Sequence, residues 1–401
     1  MSHDHRLKKG VFFYEAVFYQ DEDGRVYSNG NIGREALTLY LACVEHLQVF
    51  CRLHDIRRDD AGELVKISAP GLSFHGLGLK SWTRLPLLLP WVWLVLARAW
   101  LGADVAILRL PSIVSILMRP VRWLGHRPVI VELVSDPRGL LKSAYPRLPG
   151  VAWLDRALTG ATRRWVAQAD GCVYVTRETL QAIYPCGGDT SYASNVRIER
   201  IDPDTLSQRL TAPPLAGRQV LNVGLIGSLS NEYKGIDVAI EAVARLNKAG
   251  LPVHLHVLGK GPLLEKYQAQ AARLGCEGSV HFAGIRRKGD EVLAWLTSMD
   301  AYIQPSRVEG LPRALVEAMS VGLPCVATSV GGIPELLAAD WRVPAEDATA
   351  LADKLEALLR DDNVYRQQCE VNFETAREFL YDTIVARKTA FLQRLGARLA
   401  R

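Results

Sequence analysis

Asp300–Glu335 reads DAYIQPSRVEGLPRALVEAMSVGLPCVATSVGGIPE, and its punctuation decides the fold. Ala301–Gln304 is a short strand that breaks at Pro305-Ser306. A polar loop with Glu309 and Gly310 follows, and a helix is expected from near Pro312 through Leu315, Val316, Ala318 and Met319. Gly322-Leu323-Pro324 stops that helix. Cys325–Thr328 reads as a second strand, and Gly331-Gly332 as the turn that ends it.

Strand, loop and helix start in that order make an anion site. The first-turn N–H groups and the helix dipole point at whatever sits beyond the strand's carboxyl end. Pro312 suits the first helical position, where its missing donor is not needed. Glu309 lies ahead of the helix, and Glu317, after seven intervening residues, lies inside it. A phosphate at the helix start would leave both carboxylates to accept hydrogen bonds from hydroxyl groups on either side. That describes a nucleotide-sugar site.

Working outward, 401 residues suit two domains. At 23% charged residues the composition is that of a globular protein. The opening MSHDHRLKKG is polar and leads straight into a strand, so no secretory signal is expected. Seven scattered cysteines, none spaced Cys-x-x-Cys, predict reduced thiols, a cytoplasmic protein and neither a disulfide framework nor a zinc site. The net charge of +5 is modest, but nine basic residues between Arg119 and Arg164 face only Glu132, Asp136 and Asp155. Such a face either draws anions, diphosphates or acidic lipid headgroups among them, or is simply solvated.

In the first half, Gly10–Gln20 reads as a strand and Asp21–Gly24 as a turn, with Arg25–Tyr27 returning. Asp21-Glu22-Asp23 is turn chemistry and not a metal motif. Gly30 and Gly33 precede an expected amphipathic helix, Arg34–Gln48. Leu85–Leu101 is the most hydrophobic segment but carries Pro86, Pro90 and Arg98. It reads as a core helix, or else as a surface helix that dips into a bilayer with its tryptophans at the headgroups. Val129–Val134 and Gly171–Thr176 are further strands, and proline-rich Ile201–Pro214 reads as a linker.

The second half alternates strand and helix cleanly from Val220 onward, which predicts a parallel sheet covered on both faces. Lys234 follows a strand by a short loop and precedes a helix, so its ammonium can reach a diphosphate as a point charge. The helix dipole disfavours a lysine there unless an anion accompanies it. Gly259-Lys260-Gly261 imitates the start of a dinucleotide fingerprint. Leu264 occupies the place of the third glycine and no acidic residue closes the next strand, so a nicotinamide enzyme is not expected. His254 and His256 share one strand face, with no carboxylate or third histidine at ligand spacing, so no metal site is expected.

Taken together, EGLPRALVEAM and GLPCVATSVGGIPE resemble the group 1 (family four) retaining glycosyltransferases of GT-B fold, of the bacterial polysaccharide-biosynthesis type. The resemblance covers residues 215–340 and extends to the N-terminal half only by pattern. It implies two doubly wound Rossmann-like α/β domains facing across a cleft. Residues 1–205 would be the acceptor domain and 206–375 the nucleotide-sugar domain. Residues 376–401 would be a helix packing back on the first domain.

The resemblance also implies roles. Glu309 would orient the sugar, Glu317 would hold the ribose, and Lys234 would neutralise the diphosphate. Gly310, Leu311, Arg313, Ala314 and Leu315 would surround the phosphates at the helix start. Gly30 and Gly33 match a glycine-rich loop near the donor phosphates, without the usual adjacent pair. Gly259 and Gly261 match a glycine turn lining the donor cleft, and Gly284 and Arg286 fall where the base lies. Asp136 stands where many relatives place a histidine near the sugar. Ser228 stands where the family has an arginine, six residues before Lys234.

The expected activity is transfer of a hexosyl group from a nucleoside diphosphate sugar, a UDP-sugar favoured, to a glycan or isoprenoid-diphosphate-linked acceptor. No cofactor or metal is required by the family pattern and no nucleic-acid partner is expected. Such an enzyme would work in the cytoplasm, peripheral on the inner face of the membrane. A sugar-nucleotide 2-epimerase of the same fold, or a non-catalytic scaffold subunit, remains open at this point.

Overall fold

The computed structural model describes residues 6–401 except 30–31, 59–61, 63, 81–83, 146–147 and 287–288. The chain divides into two units. The first holds Met1–Pro137, Trp153–Ala193 and Val385–Arg401, and the second holds Arg138–Ala152 and Ser194–Ile384.

The sheet of the first unit contains β1 (Leu7–Gln20), β2 (Val26–Ser28), β3 (Val44–Asp55), β4 (Val65–Lys66), β5 (Leu72–Gly76), β6 (Val105–Leu110), β7 (Val129–Leu133), β8 (Gly171–Tyr174) and β9 (Asp189–Tyr192). The aromatic and β-branched run of β1 sits centrally, parallel to β3 on one side and β6 on the other. β1 shifts register against β3 between Phe13 and Val17, and its far half pairs with the antiparallel β2. Beyond β6 the order runs β7, β8, β9, all parallel.

The expected helix over Arg34–Gln48 ends early. Arg34–Thr38 is helical and Leu39–Ala42 forms a 3-10 turn, but Val44 opens β3. Leu47, Val49 and Cys51 are buried at the period of a strand, and β3 is paired by β1 and β5 on its two sides. An apolar run of that length fits either period, and the pairing decided it. The linker read at Ile201–Pro214 likewise contains a helix, Pro203–Thr211, capped by the Asp202 side chain.

Leu85–Leu101 is helical throughout. Val92, Leu96, Ala99 and Trp100 are buried at helical spacing, while Leu87, Trp91, Trp93, Leu94 and Leu101 are exposed. The core reading therefore holds for one stripe only. Among the described residues no helix is long and apolar enough to cross a membrane.

A buried cluster of three charges lies inside the first unit. Arg109 on β6 and Glu132 on β7 are register partners and form an ion pair. Lys388 reaches the other Glu132 oxygen at 2.7 Å from the helix Tyr381–Leu399. Burial alone would raise the Glu132 carboxyl, but Arg109 and Lys388 overrule it and hold it down to about 2.

The sheet of the second unit contains β10 (Leu221–Ile226), β11 (Val253–Leu258), β12 (Val280–Phe282), β13 (Ala301–Gln304), β14 (Cys325–Thr328) and β15 (Arg342–Val343). Their order is β12-β11-β10-β13-β14-β15 and every pair is parallel. Val223, Leu225, Leu255 and Val257 bury one face in a core shared with Ile240, Val243, Leu355 and Leu358. The chain builds outward from β10 to β12 and then crosses to β13, so the order reverses between β10 and β13. The crevice beyond the carboxyl ends of those two strands is where doubly wound sheets bind ligands.

Candidate functional site

Two loops leave that reversal point. After β10 the chain runs through Gly227–Asn231 to a 3-10 turn, Glu232–Lys234, and then to the helix Ile236–Lys248. Gly235 between them takes φ +67°, and a Cβ there would lie 1.9 Å from the Pro305 carbonyl oxygen. Only glycine permits this approach. The second loop, Pro305–Pro312, leads from β13 to the helix Arg313–Ser320, with Pro312 at the N-cap, one place earlier than expected.

The two loops meet at Glu309. Lys234 Nζ donates to Glu309 Oε1 at 2.6 Å, and the same oxygen accepts from Ser306 Oγ at 2.7 Å and Gln304 Nε2 at 3.0 Å. Gln304 is itself fixed, since Tyr302 Oη donates to its Oε1 at 2.6 Å. Thr328 Oγ1 donates to the Ser306 carbonyl at 2.6 Å from β14. Glu309 is only 9% exposed, so one carboxylate oxygen is saturated inside a rigid polar frame.

The backbone around Glu309 is fixed from the other side. Gly332 N–H donates to the Gly310 carbonyl at 2.5 Å. Gly331 takes φ +55°, and a Cβ there would lie 2.3 Å from the Glu309 carbonyl oxygen. The glycine turn that follows β14 thus serves as a seat for the Glu309 loop. Arg307 anchors the loop's outer end, with Nη1 and Nη2 on the two Asp237 oxygens at 2.9 and 2.7 Å.

Glu317 lies half-buried on the helix Arg313–Ser320, which opens with the exposed Arg313, the half-buried Ala314 and the buried Leu315, while the buried Gly310 and Leu311 lie in the loop just before it. Gly259 and Gly261 serve a backbone purpose. Cβ atoms there would lie 1.8 Å from the Gly227 carbonyl oxygen and 2.3 Å from the Leu229 carbonyl carbon. The turns after β10 and β11 therefore rest directly on each other, and Leu229 N–H donates to the Lys260 carbonyl at 3.1 Å. Ser228 Oγ donates to Ser230 Oγ at 3.0 Å. Gly284 and Arg286 are exposed beyond β12.

In the first unit, Asp136 lies beyond β7 and accepts from Tyr184 Oη at 2.7 Å. Gly33 is the N-cap of Arg34–Thr38. Gly30 lies outside the described residues. Sequence reasoning did not single out Gln304, Ser306 and Thr328. The available signal was Gln304 itself, a polar residue closing the apolar strand AYIQ where burial demands a partner.

Residues 221–361 match the family described as glycosyl transferases group 1. The protein CapJ of Staphylococcus aureus is 26% identical over 67% of this chain and 68% of its own length. A putative colanic acid biosynthesis glycosyltransferase, WcaL of Escherichia coli K12, is 35% identical over 40% of this chain and 41% of its own. The chain thus spans two thirds of one relative and less than half of the other. Among solved structures, Anabaena HepE in complex with UDP and glucose aligns over 97% of this chain and 99% of its own, with TM-score 0.64 and 17% identity, a likeness of fold. Residues 221–361 thus resemble the group 1 glycosyltransferases, and the chain shares with that solved structure the GT-B fold of two Rossmann-like domains.

Proposed function

We propose that the chain transfers a hexosyl group, with retention at the anomeric carbon, from a nucleoside diphosphate sugar to a lipid-linked glycan during cell-surface polysaccharide biosynthesis. The observation that carries this reading is the Lys234–Glu309 pair, at 2.6 Å, placed at the strand-order reversal of the second unit. Lys234 supplies a cation for the departing diphosphate, and the start of the helix Arg313–Ser320 supplies N–H groups for the same charge. Glu309 orients the sugar through its hydroxyls, and Glu317 takes the ribose.

UDP is favoured as the carrier because HepE, of the same fold, was solved with UDP and glucose. The polysaccharide setting draws on WcaL, whose name places it in colanic acid biosynthesis. The lipid-linked acceptor draws on the exposed Trp123 and Trp153 and the exposed Arg119, Arg156 and Arg163 of the first unit.

The test is mass spectrometry of the purified protein with a panel of sugar nucleotides and a glycan acceptor. Transfer, or slow hydrolysis without acceptor, supports the reading. An isomer of unchanged mass makes the protein an epimerase instead, and no reaction with any donor makes it a scaffold.

A further inference from the structure

Strand periodicity puts His254 and His256 of β11 on one face, and the parallel register supplies what the linear sequence lacks. His281 of the neighbouring β12 is the direct partner of His256. Each of the three rings offers one nitrogen, and the three nitrogens lie within 4.8 Å of one another. His281 Nε2 and His254 Nδ1 are 3.1 Å apart. Two imidazoles on a tetrahedral zinc, each bonded at about 2.0–2.1 Å, hold their nitrogens about 3.3 Å apart. One pair already has that spacing, and a side-chain rotation brings in the third.

We propose that His254, His256 and His281 bind one divalent transition-metal ion of the zinc or cobalt class. This site plays no part in the Lys234–Glu309 chemistry and does not rest on the proposed function. Three imidazoles suit zinc and cobalt and leave one position for water. The Asn222 side-chain oxygen, 2.9 Å from His256 Nε2, fixes the orientation of that ring. β12 is a three-residue edge strand that runs on toward Gly284 and Arg286. An ion on this face ties that edge to β11.

The test is calorimetric titration of chelator-treated full-length protein with zinc ion, and absorption spectroscopy with cobalt ion, for the wild type and His281→Asn. His3 and His5 are kept in every protein compared, so any contribution from them cancels. One ion per chain should bind, with a tetrahedral cobalt spectrum and a rise in Tm of about 2–4 °C in the wild type alone. His281→Asn should weaken binding by at least about tenfold, the lower end of what loss of a mere outer partner costs. If that variant does not fold, His254→Gln takes its place. Absence of binding to the wild type overturns the site, and so does unchanged affinity in a folded variant.

Discussion

Lys234 Nζ and Glu309 Oε1 stand 2.6 Å apart although 75 residues separate them in sequence. The ammonium that would meet a diphosphate is held by the carboxylate that would meet the sugar, so each positions the other. Glu309→Gln keeps the shape and removes the charge. Turnover should fall on the order of a hundredfold, the scale of a lost electrostatic catalytic contact, with a smaller change in donor affinity. Steady-state kinetics decide, and a kcat within about threefold of wild type takes Glu309 out of the mechanism.

Glu317 sits in the second turn of the helix that Glu309 precedes, and its proposed partner is the ribose. Glu317→Ala should weaken the sugar-free nucleoside diphosphate by about tenfold or more, since hydrogen bonds to a charged group contribute about 1.5–3 kcal/mol. Calorimetry with UDP reads this directly. An affinity equal to wild type contradicts the ribose role.

Gly331 tests whether the glycine turn seats the Glu309 loop. Gly331→Ala brings both a strained φ of +55° and a collision with the Glu309 carbonyl. Gly217→Ala, at φ +85° with nothing within 4 Å of the added atom, brings only the strain. The first should lose about 1–3 kcal/mol of stability together with most of its turnover. The second should lose about 1 kcal/mol with turnover intact. Equal turnover in the two variants would show that the collision does not matter.

The second unit was legible because its elements are local. β10 and β11 run straight into a glycine and β13 and β15 into a proline, and the Glu309–Glu317 spacing falls within a single loop and helix. The first unit hid more. Nothing local distinguishes β3 from a continuing helix, because its pairing with β1 and β5 comes from distant segments. The same holds for His281, which joins His254 and His256 only through the β11–β12 register. The Gln304–Ser306–Thr328 frame was invisible for a related reason, since Thr328 arrives from the next strand.

Glu132 gives a pH dependence whose sign follows from its environment. Its folded pKa, about 2, lies below the about 4.3 of an unfolded glutamate. The stabilisation is therefore complete above about pH 4.3 and is lost as pH falls toward 2, amounting to about 3 kcal/mol. Glu132→Gln leaves Arg109 and Lys388 buried without their anion and should cost about 3–5 kcal/mol at pH 7. Urea unfolding from pH 6 down to 2.5 should show the wild-type advantage shrinking through that window. Parallel curves would mean that the Glu132 charge does not stabilise the fold.

The remaining prediction concerns the surface of the first unit. Leu87, Trp91 and Leu94 are exposed on the helix Leu85–Leu101, and Trp123, 88% exposed, follows the adjoining helix Ile113–Val121. The two helices are joined by Trp93 Nε1, which donates to the Leu117 carbonyl at 3.1 Å. Trp153 is 68% exposed on Val151–Ala167. Arg84, Arg98, Arg119, Arg156, Arg163 and Arg164 are exposed on or beside these helices; Trp82 and Arg147 lie outside the described residues. Tryptophan settles at the headgroup level of a bilayer, and each arginine near an anionic surface adds about 1 kcal/mol of attraction. A lipid-linked acceptor would be presented at such a surface. Binding to anionic vesicles should therefore exceed binding to neutral ones and weaken as salt screens the charges. Trp123→Ser combined with Trp153→Ser should reduce it at every salt concentration, because the apolar contribution is not screened. If the wild type stays in solution in a low-salt sedimentation assay with both kinds of vesicle, membrane association fails and a soluble acceptor replaces the lipid-linked one.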